Sequence, residues 1–187
     1  MLTILLAILS STVVSAVVTG VFNNKAKHKE LRMNASMKEN HNLINNIGTA
    51  FMKYTEANNQ YSIMLAKCID GQIKLANLSE YISTLNKYKS ELDYYINQTE
   101  YQNDHYDIVN STLNANNYLF NKMWDKAASN SNRIIKGLEI DEVETLKYID
   151  ELELKNNEYI TQLSNNLALL VKQEKNNMLD DILKDKI

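Results

Sequence analysis

Not one of the 187 residues is proline. At an average usage of about 5%, a chain this long would carry roughly nine. Proline removes a backbone donor and clashes with the preceding turn, so it is the strongest helix breaker. A chain without it, and with only four glycines, is free to form helices of unusual length. The apolar pattern supplies the reason for them to form. Met33, Met37, Ile44, Ile47, Phe51, Tyr54, Tyr61 and Leu65 recur at steps of three and four, with Asn40 and Asn58 filling gaps in the heptad. That spacing places them on one face of a helix.

Three further stripes follow. Leu78, Ile82, Leu85, Leu92 and Ile96 form the second, after "CIDGQ" (68–72), where Gly71 suits a helix C-terminus. Definition is lost through "NQTEYQNDHYD" (97–107), which reads as a loop or kink. Val109, Leu113, Phe120 and Trp124 form the third, running into "AASNSN" (127–132), a polar small-residue break. After Gly137 comes the longest, with Leu146, Ile149, Ile160, Leu163, Leu167 and Leu170 on one face and Asn156 at an in-register polar position. Asp141, Glu142 and Glu144 lie at its start, where carboxylates favour the helix dipole. Helix is expected from about 140 to 185. Stripes this narrow are stabilised by packing on one another. The expected fold is all-α: an N-terminal transmembrane helix, then an antiparallel bundle or coiled coil of long helices.

The transmembrane expectation rests on residues 2–22, "LTILLAILSSTVVSAVVTGVF", which hold no ionisable side chain. As a helix this run would span roughly 31 Å, close to the ~30 Å hydrocarbon core of a bilayer. Lys25, Lys27, Lys29 and Arg32 all follow it. A cleaved secretory signal carries its positive charge before the apolar stretch, so this order reads as an uncleaved anchor with its C-terminal side in the cytoplasm. The alternatives are a signal cut after Val14-Ser15-Ala16, which would make the rest a secreted helical protein, and a buried core helix. The domain organisation is therefore 1–23 anchor, 24–32 basic juxtamembrane segment and 33–187 helical domain. The four basic residues set topology; the second reading is that they also pin the helix exit to an anionic leaflet, at about 1 kcal/mol each, in a cluster that Glu30 interrupts. Within the span, Ala7, Ser11, Ser15 and Thr19 recur every fourth residue, with Ala16 and Gly20 as a second small pair. Small residues at that spacing let two helices approach closely and self-associate.

Candidate chemistry is sparse. His28, His41 and His105 are far apart, and none has a second His or Cys at metal-ligand spacing. "NDHYD" (103–107) reads as a solvated loop. Cys68 is the only cysteine, which excludes an internal disulfide. No glycine-rich phosphate loop is present. A net charge of −3 lacks the basic footprint of a nucleic-acid binder, so the 11 tyrosines read as packing or as the rim of a protein interface. The sequons at Asn34, Asn77, Asn97 and Asn110 carry no weight in so Asn-rich a chain. No cofactor and no catalytic set is expected.

The span "AILSSTVVSAVVTGVFNNK" followed by "KAKHKELR" resembles small single-pass membrane proteins of unknown function from low-GC Gram-positive bacteria and their phages or prophages. The resemblance covers about the first 32 residues and implies a topology without an active site. The expected function is that of a membrane-tethered interaction or scaffold protein, with the membrane, an unidentified protein and a second copy as partners. A phage or prophage envelope role in exclusion or lysis is the alternative.

Overall fold

The computed structural model describes the backbone of residues 2–99 and 104–184, and the side chains of Lys27, Glu30, Leu31, 33–35, 37–99, 105–177 and Asp180. It is all-α. Helix α1 runs Leu2–Ile69, α2 Ser79–Ile96, α3 Asp104–Ile135 and α4 Glu142–Lys184, with a 3-10 turn at Leu75–Leu78 ahead of α2. No strand occurs among the described residues.

The helix ends follow local chemistry. At the end of α1, Gln72 N–H donates to Lys67 O at 2.9 Å and Gly71 N–H to Cys68 O at 3.1 Å. Gly71 takes φ 75°, the left-handed conformation this closure requires. The end of α3 repeats the motif. Leu138 N–H donates to Arg133 O at 2.9 Å and Gly137 N–H to Ile134 O at 2.9 Å, with Gly137 at φ 70°. Helix α4 starts on a side-chain cap, Asp141 Oδ1 accepting Glu144 N–H at 2.9 Å.

Cross-helix hydrogen bonds give the topology. Asn116 reaches Tyr54 and Asn130 reaches Ile69, so α1 and α3 advance together and are parallel. Lys122 pairs with Glu151 and His105 with Asn166, so α4 runs antiparallel to α3. Lys53 pairs with Glu91, placing α2 along α1. The bundle is up-down-up-down. Helices α1, α3 and α4 all pack on one another, while α2 packs chiefly on α1.

The core holds the expected faces: Ile47, Tyr54, Tyr61 and Leu65 from α1; Leu85, Leu92 and Ile96 from α2, with Leu78 just ahead of it; Val109, Leu113 and Phe120 from α3; Leu163, Leu167 and Leu170 from α4. Tyr61 and Phe120 meet edge to face with centroids 4.9 Å apart. Buried Ala50, Ala57 and Ala127 allow close approach of the backbones.

Three expectations are corrected. The stretch 127–132 is helical, α3 continuing to Ile135. Ala127 and Asn130 there are buried, and Asn130 hydrogen-bonds into the bundle. Those tertiary contacts outweigh the modest helix propensity of Asn and Ser. Within 97–107, residues 104–107 already belong to α3. Leu146, assigned to the core face of α4, is 58% exposed, and Thr145 and Leu152 are buried instead.

Candidate functional site

Among the described residues no group of His, Cys, Asp and Glu is arranged to hold a metal ion. Cys68 is buried, and burial pushes its thiol pKa up, which disfavours the nucleophilic thiolate. His41 is exposed on α1. His105 lies in the first turn of α3, with Nδ1 3.3 Å from Asn166 Oδ1. Asn166 Nδ2 donates to Gln162 O at 2.9 Å, so its oxygen faces the ring and Nδ1 is the donor. This is a helix-to-helix tie.

Polar groups converge inside the core. Asn116 Nδ2 donates to Tyr54 Oη at 3.1 Å and Asn58 Nδ2 to the same oxygen at 3.4 Å. Desolvation raises the Tyr54 pKa despite these bonds. Higher in the bundle, Asn130 Nδ2 donates to Ile69 O at 2.7 Å and Thr145 Oγ1 at 3.1 Å, joining α1, α3 and α4. Both clusters are buried, where an unmade hydrogen bond is costly. Of these residues the sequence singled out Tyr54 and Asn58 as stripe positions; Asn116 and Asn130 carried no signal that separated them from the chain's many other asparagines.

The outer surface carries paired charge. Lys122 Nζ lies 2.6 Å from Glu151 Oε1, and Lys126 pairs with Glu144. Both ammonium groups lie over the Tyr148 ring, at 5.5 and 5.1 Å from its centroid. Hydrogen bonding to Glu151 raises the Lys122 pKa. Hydrogen bonding to Glu91 does the same for Lys53. An exposed pair such as Lys122–Glu151 contributes little to stability.

Two apolar features stand out. An open groove of about 550 Å³ is lined by Leu75, Ala76, Ser79, Ile82 and Trp124. About the α3–α4 turn, Ile134, Ile135, Leu138, Val143 and Leu146 are each between 46% and 82% exposed. Large exposed apolar side chains gathered at one end of a bundle are the usual mark of a protein contact.

Among the sequence-derived residues, Lys27 is exposed on α1. The side chains of Lys25, Lys29 and Arg32, and those of Ala7, Ser11, Ser15 and Thr19, lie outside the described residues. Among the described residues no helix is long and apolar enough to cross a membrane; the side chains of the run 2–22, where the sequence puts the anchor, are not among them. Comparison with family models, curated proteins and solved structures finds no match to this chain.

Proposed function

We propose that this chain is a membrane-tethered helical interaction protein. The apolar run 2–22 spans the bilayer, Lys25, Lys27, Lys29 and Arg32 hold its exit at the inner leaflet, and the bundle stands in the cytoplasm as a binding platform. The observation that carries the reading is the single helix α1, which holds the apolar run at one end and the bundle's core residues at the other. About 70 Å of helix separates Phe22 from Ile69 at 1.5 Å per residue. The α3–α4 turn lies at the Ile69 end, through Asn130. Its exposed apolar residues are thus presented far from the bilayer, where a protein rather than lipid would cover them. The Ala7, Ser11, Ser15 and Thr19 stripe brings two spans together, so the platform is displayed in pairs.

Protease added to sealed cells should leave residues 33–187 intact, and alkaline carbonate should leave the chain in the membrane fraction. A mature form starting near Val17, or digestion of the bundle from outside, would overturn the proposal and favour a secreted or envelope-facing protein.

A further inference from the structure

Tyr54, Asn58, Asn116 and Asn156 come from three helices and lie at one level of the core. Tyr54, Asn58 and Asn116 are joined directly, both amides donating to Tyr54 Oη. The pairing of Lys122 with Glu151 and of His105 with Asn166 sets the α3–α4 register, and that register puts Asn156 across from Asn116. All four side chains are buried. Oδ1 of Asn58, of Asn116 and of Asn156 each accepts from no protein group. Both amides direct Nδ2 at Tyr54 Oη, and its single hydroxyl proton cannot serve three oxygens. Buried acceptors without a donor are costly, and nearly all such groups in folded proteins are paired with protein or with ordered water.

We propose that these three amide oxygens form an internal site that binds water. The chemistry selects the guest. Three oxygens without a donor call for a guest that carries protons, which excludes an anion. The layer itself contributes no carboxylate, and Asp93 of α2, near enough to help raise the Tyr54 pKa, is already paired with Lys89, so a sodium or potassium ion there would be a buried charge without a free counter-charge. A water molecule brings two protons and one acceptor, and buried waters make about three hydrogen bonds to groups like these. Bound there, it ties α1, α3 and α4 at one register, because sliding any helix by a turn removes one of its partners.

Water-to-protein magnetisation transfer on the full chain in detergent tests the site at the Asn58, Asn116 and Asn156 side-chain amide protons. Transfer of the sign given by long-lived water is expected at these amides, equally in sodium, potassium or choline chloride. It should persist in Tyr54→Phe, where no exchanging hydroxyl can relay it. It should be lost at Asn58 and Asn116 in Asn156→Leu, with helix content by circular dichroism confirming that this variant folds. Absence of transfer in the unaltered chain overturns the proposal whatever the variants do. So does a melting temperature that falls only when sodium and potassium are replaced by choline, since that identifies a cation as the guest.

Discussion

Asn130→Asp replaces one nitrogen by oxygen at a position 1% exposed, leaving volume and shape nearly unchanged. The Nδ2 group it removes donates to Ile69 O at 2.7 Å and Thr145 Oγ1 at 3.1 Å. Thr145 can rotate its hydroxyl to donate to the new carboxylate. The Ile69 carbonyl has no such freedom and would face an anion at contact distance. A buried charge left with an unsuitable partner costs about 3–5 kcal/mol. For a chain of this size that lowers the melting temperature by about 6–20 °C, at 2–4 °C per kcal/mol. Burial also raises the carboxyl pKa in the folded state above the ~3.9 of an unfolded chain. The folded state then binds a proton the unfolded state does not, so the penalty is complete above the folded pKa and fades as pH falls toward ~3.9. Protonated, the carboxyl regains a donor for Ile69 O. Thermal melts followed at 222 nm, at pH 7 and pH 4.5 and as differences from the unaltered chain, read both effects. An unchanged melting temperature at pH 7, or a loss that does not shrink on acidification, would refute the account of Asn130 as the buried clasp of three helices.

Removing the phenol in Tyr54→Phe leaves two buried amide groups without their acceptor and should cost about 1–3 kcal/mol in denaturant unfolding. Gly71→Ala and Gly137→Ala share the strain of a left-handed residue, roughly 1 kcal/mol. A Cβ at Gly71 would also sit 2.7 Å from Ile134 Cδ1, the movable tip of a half-exposed side chain, whereas at Gly137 nothing lies within 4 Å; Gly71→Ala should therefore unfold at slightly lower denaturant. Burial pushes Tyr61 up to about 12 and raises Tyr54, so the unfolded chain releases these phenolic protons first. Stability should fall as pH rises above ~10, with Tyr61 ionising late in ultraviolet titration. For the proposed membrane span, Ser11→Leu with Ser15→Leu keeps the run apolar while blocking close approach of two copies; crosslinked dimers should decline, and an unchanged yield would assign any dimer to residues beyond Met33.

The helical class and most core faces could be read from spacing, because a stripe at steps of three and four leaves few other ways to bury it. On α2 the reading is nearly complete: Leu85, Leu92 and Ile96, with Leu78 just before the helix, are buried. It failed where burial and side-chain polarity part company. Leu146 is apolar yet exposed, beside the buried Thr145, since the clasp with Asn130 sets which way the first turns of α4 face. Periodicity sees only the apolar set, and a chain with an Asn at every few positions gives no local mark of which ones point inward. The same blindness made 127–132 read as a break.

The buried amides also bear on how the bundle keeps one arrangement. Narrow apolar stripes on long helices tolerate slippage, because moving by a heptad replaces one aliphatic contact with another at little cost. Tyr54 with Asn58 and Asn116, and Asn130 with Ile69 and Thr145, do not tolerate it. Each bond runs to one specific atom, and a slip would strand the donor in an apolar part of the core at about 1–3 kcal/mol per group. An all-aliphatic core would be more stable in place and less particular about place, which is the trade attested for single buried asparagines in coiled coils. For a helix that runs from an apolar span into a bundle, register fixes the height and rotation of the α3–α4 turn relative to that span. The polar layers therefore do for orientation what the leucines do for stability.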